Sequence, residues 1–241
     1  MSDDVPYVGY ERWKSWDVES FGRFRRHEAV YFAGELRRAG IGSLQGARVL
    51  ELGFGNGSFA GWATAQGADY RGVEVIQELI AAAESRGYRV LPALQLNDSS
   101  VPAGTLDLAT AFDVFEHLTM DELQRMLERL AVMLKPGGRV LARLPSGDSP
   151  FSRAIQHGDM THRTVLGSAA ARQLALRVAL HAEQVRAPFQ AWQGDGALRT
   201  LKRAVVSGLR ALAYPMIAEV FMGGDRPVLS PNMLIVFRKP K

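Results

Sequence analysis

The 241-residue chain contains no cysteine, which excludes disulfides and thiolate metal sites and leads us to expect a reducing compartment. It also lacks any run of the ~18–20 uncharged apolar residues that a membrane-spanning helix needs. The opening stretch, "MSDDVPYVGYERWKSW", is acidic and aromatic rather than basic and apolar, which argues against a signal peptide. Repeats and low-complexity tracts are absent, so neither a solenoid nor a disordered linker is expected. What is present is an ordinary globular composition, 47% hydrophobic and 22% charged, long enough for one α/β domain with additions and a full core.

The net charge of +4 hides an asymmetry. Residues 1–138 hold 14 basic and 19 acidic side chains, whereas residues 139–241 hold 15 and 6. A basic C-terminal part suits an anionic partner, such as a phosphorylated substrate, a membrane surface or a nucleic acid; arginines that merely solvate helix faces are the alternative.

Along the chain, the first forty residues read as helical and aromatic, with Tyr10, Trp13, Trp16, Phe21 and Phe24 near helical spacing. "ARVLELG" reads as a strand ending in glycine and "SFAGWATAQ" as a helix. "DYRGVEV" is a second strand, "IQELIAAAESRG" a helix stopped by Gly87, "YRVLPAL" a third strand and "LDLATAF" a fourth. "MDELQRMLERLAVML" is a periodic helix closed by Lys135-Pro136-Gly137-Gly138, and "RVLARLP" is a fifth strand. This alternation marks an α/β chain with a parallel sheet covered by helices on both faces. After Pro145 come a polar loop, the helix "SAAARQLALRVALH", the strand-like "EQVRAPFQAW", a long helix from Ala197 that Pro215 should end, and the strand "NMLIVFRK". Two late strands imply an antiparallel edge on the parallel sheet.

The strongest local signal is "LELGFGNGSFAG", where a strand runs into Gly53-Phe54-Gly55-Asn56-Gly57 and then a helix. Glycines are required where the backbone turns with positive φ or meets a ligand closely, and the carboxyl edge of such a sheet is the usual nucleotide site. Ser58 stands where a dinucleotide fingerprint wants its third glycine. Glu51, at the strand end, disfavours a pyrophosphate and suits a cationic ammonium group. Glu74 ends the next strand, placed to accept both hydroxyls of a ribose.

With these residues, Phe112-Asp-Val-Phe-Glu-His117 and Leu134-Lys-Pro-Gly-Gly138 in order, the chain resembles the class I S-adenosylmethionine-dependent methyltransferases over roughly residues 45–145. The resemblance implies a Rossmann-like, doubly wound, mostly parallel seven-stranded sheet with an antiparallel C-terminal edge strand. It implies that Gly53, Phe54, Gly55, Asn56 and Gly57 meet the methionine part of the cofactor, that Glu51 orders that region, and that Glu74 with Val75 holds the ribose. Gln95, Leu96 and Asp98 would frame the adenine, with the family's acid on either Gln95 or Asp98. Phe112 and Asp113 would stand near the sulfonium, and His117 beside cofactor or acceptor, either as a proton acceptor or as a brace for the following helix.

The loop "SGDSPFSRAIQHGDMTHRTV" follows the fifth strand and should fold over the same edge. Its "P-x-x-x-SPF…GD-x-TH" pattern resembles a subset of the family from polysaccharide and lipopolysaccharide biosynthesis, which implies a sugar hydroxyl as acceptor. Asp159 and His162 are the candidate acid/base or substrate-orienting pair, the carboxylate orienting the imidazole, and an ordinary polar loop is the alternative. A divalent metal on His157, Asp159 and His162 is not favoured, because the loop has no thiolate and imposes no geometry. The implied layout is a helical cover at 1–44 and a methyltransferase domain at 45–241, with a substrate loop at 145–165 and an amphipathic insertion at 197–222.

In that insertion Leu198, Leu201, Val205, Leu209 and Leu212 share one stripe, and Arg199, Lys202, Arg203 and Arg210 spread over the other side. The stripe either packs on the sheet, forms a homodimer contact, or lies through 197–214 on an anionic membrane. The expected activity is O-methylation of a sugar hydroxyl on a free, nucleotide-linked or lipid-linked glycan, in the cytoplasm or at the inner face of the membrane. Methylation of a quinone, lipid or other small molecule, and a non-catalytic scaffold role, are the rivals. Nucleic acid is not an expected partner: no N-P-P-Y-type motif follows the fourth strand, and aromatics do not interleave with the C-terminal arginines.

Overall fold

The computed structural model describes residues 7, 9–16, 18–92, 100–192 and 196–241. Seven strands form one sheet in the order β3-β2-β1-β4-β5-β7-β6. They are β1 (Arg48–Leu52), β2 (Asp69–Glu74), β3 (Val90–Pro92), β4 (Leu106–Phe112), β5 (Leu134–Pro145), β6 (His181–Arg186) and β7 (Asn232–Arg238). Strands β1 to β5 pair in parallel, and β7 runs antiparallel between β5 and β6. The order reverses between β1 and β4, and a ligand crevice opens at such a switch point.

Both sheet faces are buried, and the central strands read accordingly. In β7, Leu234 and Val236 pack with Val49, Leu108 and Leu141 against Phe32, Phe59 and Trp62, from helices α2 (Arg26–Arg38) and α3 (Ser58–Ala65). Their neighbours Ile235 and Phe237 point the other way, into a core with Leu50, Ala109, Val140 and the stripe Leu123, Leu127 and Leu130 of α5 (Met120–Met133). Thr119 starts α5 through a reciprocal cap: its hydroxyl accepts from the Glu122 N–H, and Glu122 accepts from the Thr119 N–H at 2.7 Å.

The remaining helices are α1 (Tyr10–Trp13), α4 (Gln77–Ser85), α6 (Arg153–Gln156), α7 (Ser168–Arg177) and α8 (Ala197–Met222). Three expectations change. The aromatic N-terminal segment is not one helical face: positive φ at Gly9, Ser15 and Gly22 breaks it into turns, because Trp16 and Phe21 must bend onto the glycine turn. Lys135-Pro136-Gly137-Gly138 does not lie outside β5 but within it, since Leu134 already pairs with Leu106 ahead of an irregularity. Helix α8 does not end at Pro215 but runs on to Met222, where Gly223 turns left-handed at φ 60°. A proline costs a helix its N–H and crowds the preceding turn, and here it interrupts without terminating.

Candidate active site

A cleft of about 1160 Å³ opens at the carboxyl edge of β1, β2 and β4. Its floor is the turn after β1. Gly55 and Gly57 hold φ of 53° and 74°, and a Cβ on Gly57 would lie 2.5 Å from the Phe21 ring. The turn therefore needs glycine twice over, for its left-handed backbone and for the aromatic packed against it. The N-terminal segment locks there: the Gly22 N–H donates to the Asn56 carbonyl at 3.0 Å, and Trp16 lies against Gly55.

Two buried carboxylates face this floor. Glu51 is 3% exposed and accepts a 2.6 Å hydrogen bond from the Tyr70 hydroxyl. Burial pushes its carboxyl well above the usual range, and the Tyr70 bond only partly offsets this. Glu74, capping β2, accepts from the backbone N–H groups of Gly55 (3.0 Å), Val75 (2.7 Å) and Ile76 (3.3 Å). Its pKa is also raised, burial outweighing those three donors. Glu51, Gly53, Phe54, Gly55, Asn56, Glu74, Val75, Phe112 and Asp113 all line the cleft, whereas Gly57 braces the turn behind it. Gln95, Leu96 and Asp98 lie outside the described residues.

Beyond β4 the backbone turns at Asp113, which takes φ of 58° without being glycine. Arg143 of β5 holds it there through Nε at 2.9 Å and a second, shorter contact from the same guanidinium. Burial works against the Arg143 charge, but Asp113 and Tyr31 outweigh it and raise its pKa. The guanidinium also lies over the rings of Tyr31 and Phe112, 5.3 and 5.6 Å from their centroids.

At the far end, His117 lines the cleft and is tied to the loop after β5. Its Nδ1 lies 2.8 Å from Thr161 Oγ1, which itself donates to Asp159 Oδ1 at 2.5 Å. A hydroxyl has one proton, and Thr161 gives it to the carboxylate, so Nδ1 must be the donor and Nε2 keeps its lone pair. Burial, then the neighbouring His162, pulls the His117 pKa down to about 4. The Asp159 pKa is lowered for a different reason: burial raises it, but donors from Thr161 and Tyr10 and the His162 ring bring it down to about 2. The Tyr10 hydroxyl donates to Asp159 Oδ2 at 2.9 Å, joining the N-terminal segment to this network.

His162 stands behind His117, ring centroids 4.7 Å apart, and does not line the cleft. Its Nδ1 donates to the Gln156 carbonyl at 3.0 Å. Its Nε2 is 3.7 Å from Asp159 and 3.9 Å from Glu116, too far for hydrogen bonds. His157 faces a separate shallow depression and takes no part. Instead, Glu116, His117 and His162 bring three potential ligand atoms within 4.8 Å of one another. Burial keeps the Glu116 carboxyl well above its usual pKa.

Several cleft residues escape a reading by motif: Tyr7, Tyr10, Lys14, Trp16, His27, Glu28, Tyr31 and Arg143. The one signal for Arg143 was a cation in the middle of an apolar strand. The third wall comes from α8, whose Arg199, Lys202, Arg203 and Arg210 turn into the cleft.

The switch-point crevice, the glycine turn and the acid ending β2 define an α/β protein that binds a nucleoside-containing cofactor. The chain belongs to the methyltransferase domain family, whose model matches residues 22–194. Its fold is that of a S-adenosylmethionine-dependent methyltransferase from Archaeoglobus fulgidus, at a TM-score of 0.63 and 18% identity over 98% of this chain and 100% of that one. It is likewise similar to Haemonchus contortus phosphoethanolamine N-methyltransferase 2 in complex with S-adenosyl-L-methionine, with a TM-score of 0.63 and 14% identity over 100% of this chain and 61% of that one. Among curated proteins, the ubiquinone biosynthesis O-methyltransferase of Bordetella avium is 31% identical over 141 residues, 54% of each chain. The chain thus spans about half the length, 54%, of the curated relatives it matches.

Proposed function

We propose that the chain transfers a methyl group from S-adenosylmethionine to a hydroxyl of a small acceptor. The observation that carries this reading is the relay His117–Thr161–Asp159, which fixes the Nδ1–H tautomer of an imidazole that lines the cleft. Bound, S-adenosylmethionine supplies an electrophilic methyl on sulfur, a cationic ammonium and a ribose. The residues fit it: Glu51 is a buried carboxyl at the cleft with a phenol as hydrogen-bond partner, and an ammonium beside it would favour its ionised form. Glu74, at the end of β2, is suited to two hydroxyls, and the left-handed glycine turn leaves the backbone bare.

The chain's own part in the reaction is positioning and proton transfer. His117 Nε2 would accept the proton of the acceptor hydroxyl, the methyl group being what the bound cofactor would supply. Asp159, acting through Thr161, holds the Nδ1–H tautomer and stabilises the imidazolium that forms. In this reading Asp159 and His162 are positioning residues, and His117 is the base.

For the acceptor we propose a sugar hydroxyl in surface-polysaccharide or lipopolysaccharide assembly. The "SPF…GDMTH" loop and the polar wall of Glu28, Gln190, Arg199 and Lys202 support it. A quinone-type phenol is the second reading, favoured by the name of the curated relatives. Radiolabelled S-adenosylmethionine should be offered with a nucleotide- or lipid-linked glycan fraction and, separately, a polyprenylated catechol. The sugar reading expects label in the glycan; label in the catechol alone replaces it with the phenol. Label in neither, with cofactor binding intact, removes both acceptors and leaves a lipid or other small-molecule acceptor or a non-catalytic scaffold.

A further inference from the structure

Helix α8 presents an apolar face that the rest of the described chain leaves uncovered. Leu198, Leu201, Val205, Leu209, Leu212, Met216 and Val220 recur every three or four residues and so share one stripe. All are exposed: Leu198 is 81%, Leu212 77% and the adjoining Phe221 76% accessible. The stripe runs roughly 33 Å at 1.5 Å per residue, well beyond the isolated apolar residues normal on a protein surface. The expectation that it packs on the sheet is therefore not met. The side that packs on the domain is the opposite one, where Ala218 is buried, the Tyr214 hydroxyl donates to the Pro227 carbonyl at 2.7 Å and Arg203 donates to the Ala191 carbonyl at 2.8 Å.

The charges of the helix are as one-sided as its apolar residues. Arg199, Lys202, Arg203 and Arg210 oppose a lone acid, Glu219. The same four basic residues line the cleft that holds the glycine turn. Near Met222 the helix meets the loop after β5, sharing a shallow depression with Pro150, Arg153 and Val165, beside exposed Phe151 and Ile155.

We infer that α8 docks the protein, apolar stripe down, on the surface of an anionic lipid bilayer, so that the cleft opens at the headgroup layer. At 26 residues the helix is long and apolar enough to cross a membrane. Four basic residues, Pro215 and the packed inner face of the same helix make it an interfacial helix instead. Charge complementarity selects the occupant. An anionic bilayer matches the basic flank, whereas a second copy would set one cationic helix against another. Docking stands independently of the methyl-transfer reading; its bearing on that reading is that the acceptor, or the carrier to which it is linked, resides in the membrane.

The test is flotation of the full chain with vesicles of phosphatidylcholine, with and without about 30% phosphatidylglycerol, at low salt and ~0.15 M salt. The stripe variant Leu201→Gln/Leu209→Gln/Leu212→Gln touches neither cleft nor core. We expect wild type on the anionic vesicles, weakened by salt, and a loss of about tenfold or more in partitioning for the triple variant, each lost apolar side chain weakening insertion. Titration with S-adenosylhomocysteine should be the same for both proteins, which separates failure of docking from failure of the cofactor site and shows that the variant is folded. Wild type that stays with the lipid-free fraction, or a triple variant that floats equally well, overturns the inference. So does a stable wild-type dimer that the triple variant converts to monomer without any vesicle binding, since a second copy would then cover the stripe.

Discussion

At the scale of single residues, the relay separates two histidines that look equivalent in sequence. His117 meets the cleft, while His162 is enclosed behind it on a carbonyl acceptor. Asp159→Asn removes the acceptor that fixes the Thr161 hydroxyl and hence the His117 tautomer, so kcat should fall by about 10²–10⁴-fold. The KM for S-adenosylmethionine should stay near wild type, because Asp159 does not line the cleft that Glu51 and Glu74 line. A change confined to KM would remove the relay from the reaction. With the His117 pKa near 4, the base is unprotonated throughout the neutral range, so kcat at saturating S-adenosylmethionine should be flat there and fall only on approaching that value. A descending limb centred near the ordinary histidine value of about 6.5 would contradict the arrangement.

At the scale of elements, the turn and the helices carry their own expectations. Gly57→Ala would force a left-handed alanine against Phe21 and should lower stability by about 1–3 kcal/mol, read as a fall in Tm. Pro215→Ala, in an exposed stretch of α8, should raise helicity and Tm, since it restores a backbone donor inside a helix. An unchanged Tm would mean that the helix is already broken there in solution. Elements were legible where periodicity is undiluted. "LDLATAF" is β4 and "MDELQRMLERLAVML" is α5 almost to the residue, because a short, mostly apolar central strand and a capped amphipathic helix are each marked by their own residue pattern. The aromatic run from Tyr10 to Phe24 was misleading for the opposite reason: its spacing comes from contacts with the glycine turn and Asp159, which lie far along the chain. The orientation of α8 was likewise illegible, since an amphipathic pattern specifies two faces without saying which one meets the domain.

For the molecule as a whole, the buried titratable groups set its response to acid. The pKa of His117 is lowered on folding, so the unfolded chain binds the proton first, and stability falls as pH drops from about 6.5 toward 4. The pKa of Asp159 is also lowered, and its stabilisation, complete above the unfolded value, is lost as pH falls through about 2. The raised carboxyls of Glu51, Glu74 and Glu116 work the other way over pH 4–7, so the His117 contribution is read as a difference in denaturant midpoints: the stability of wild type relative to His117→Asn should fall as pH drops from about 7 to 4. A slope identical in the variant would assign acid sensitivity to other groups.

The cofactor site answers to the same electrostatics. Burial raises both Glu51 and Glu74 in the free protein, so a cationic, ribose-bearing ligand that needs them ionised should bind more weakly as pH falls. Calorimetric titration with S-adenosylhomocysteine, comparing wild type with Glu74→Ala, tests the assignment most directly. Saturable binding in wild type, weakened by at least about tenfold in the variant, is the expected result. A well-folded wild-type protein that takes up no ligand at ~1 mM would contradict the methyltransferase account at its root.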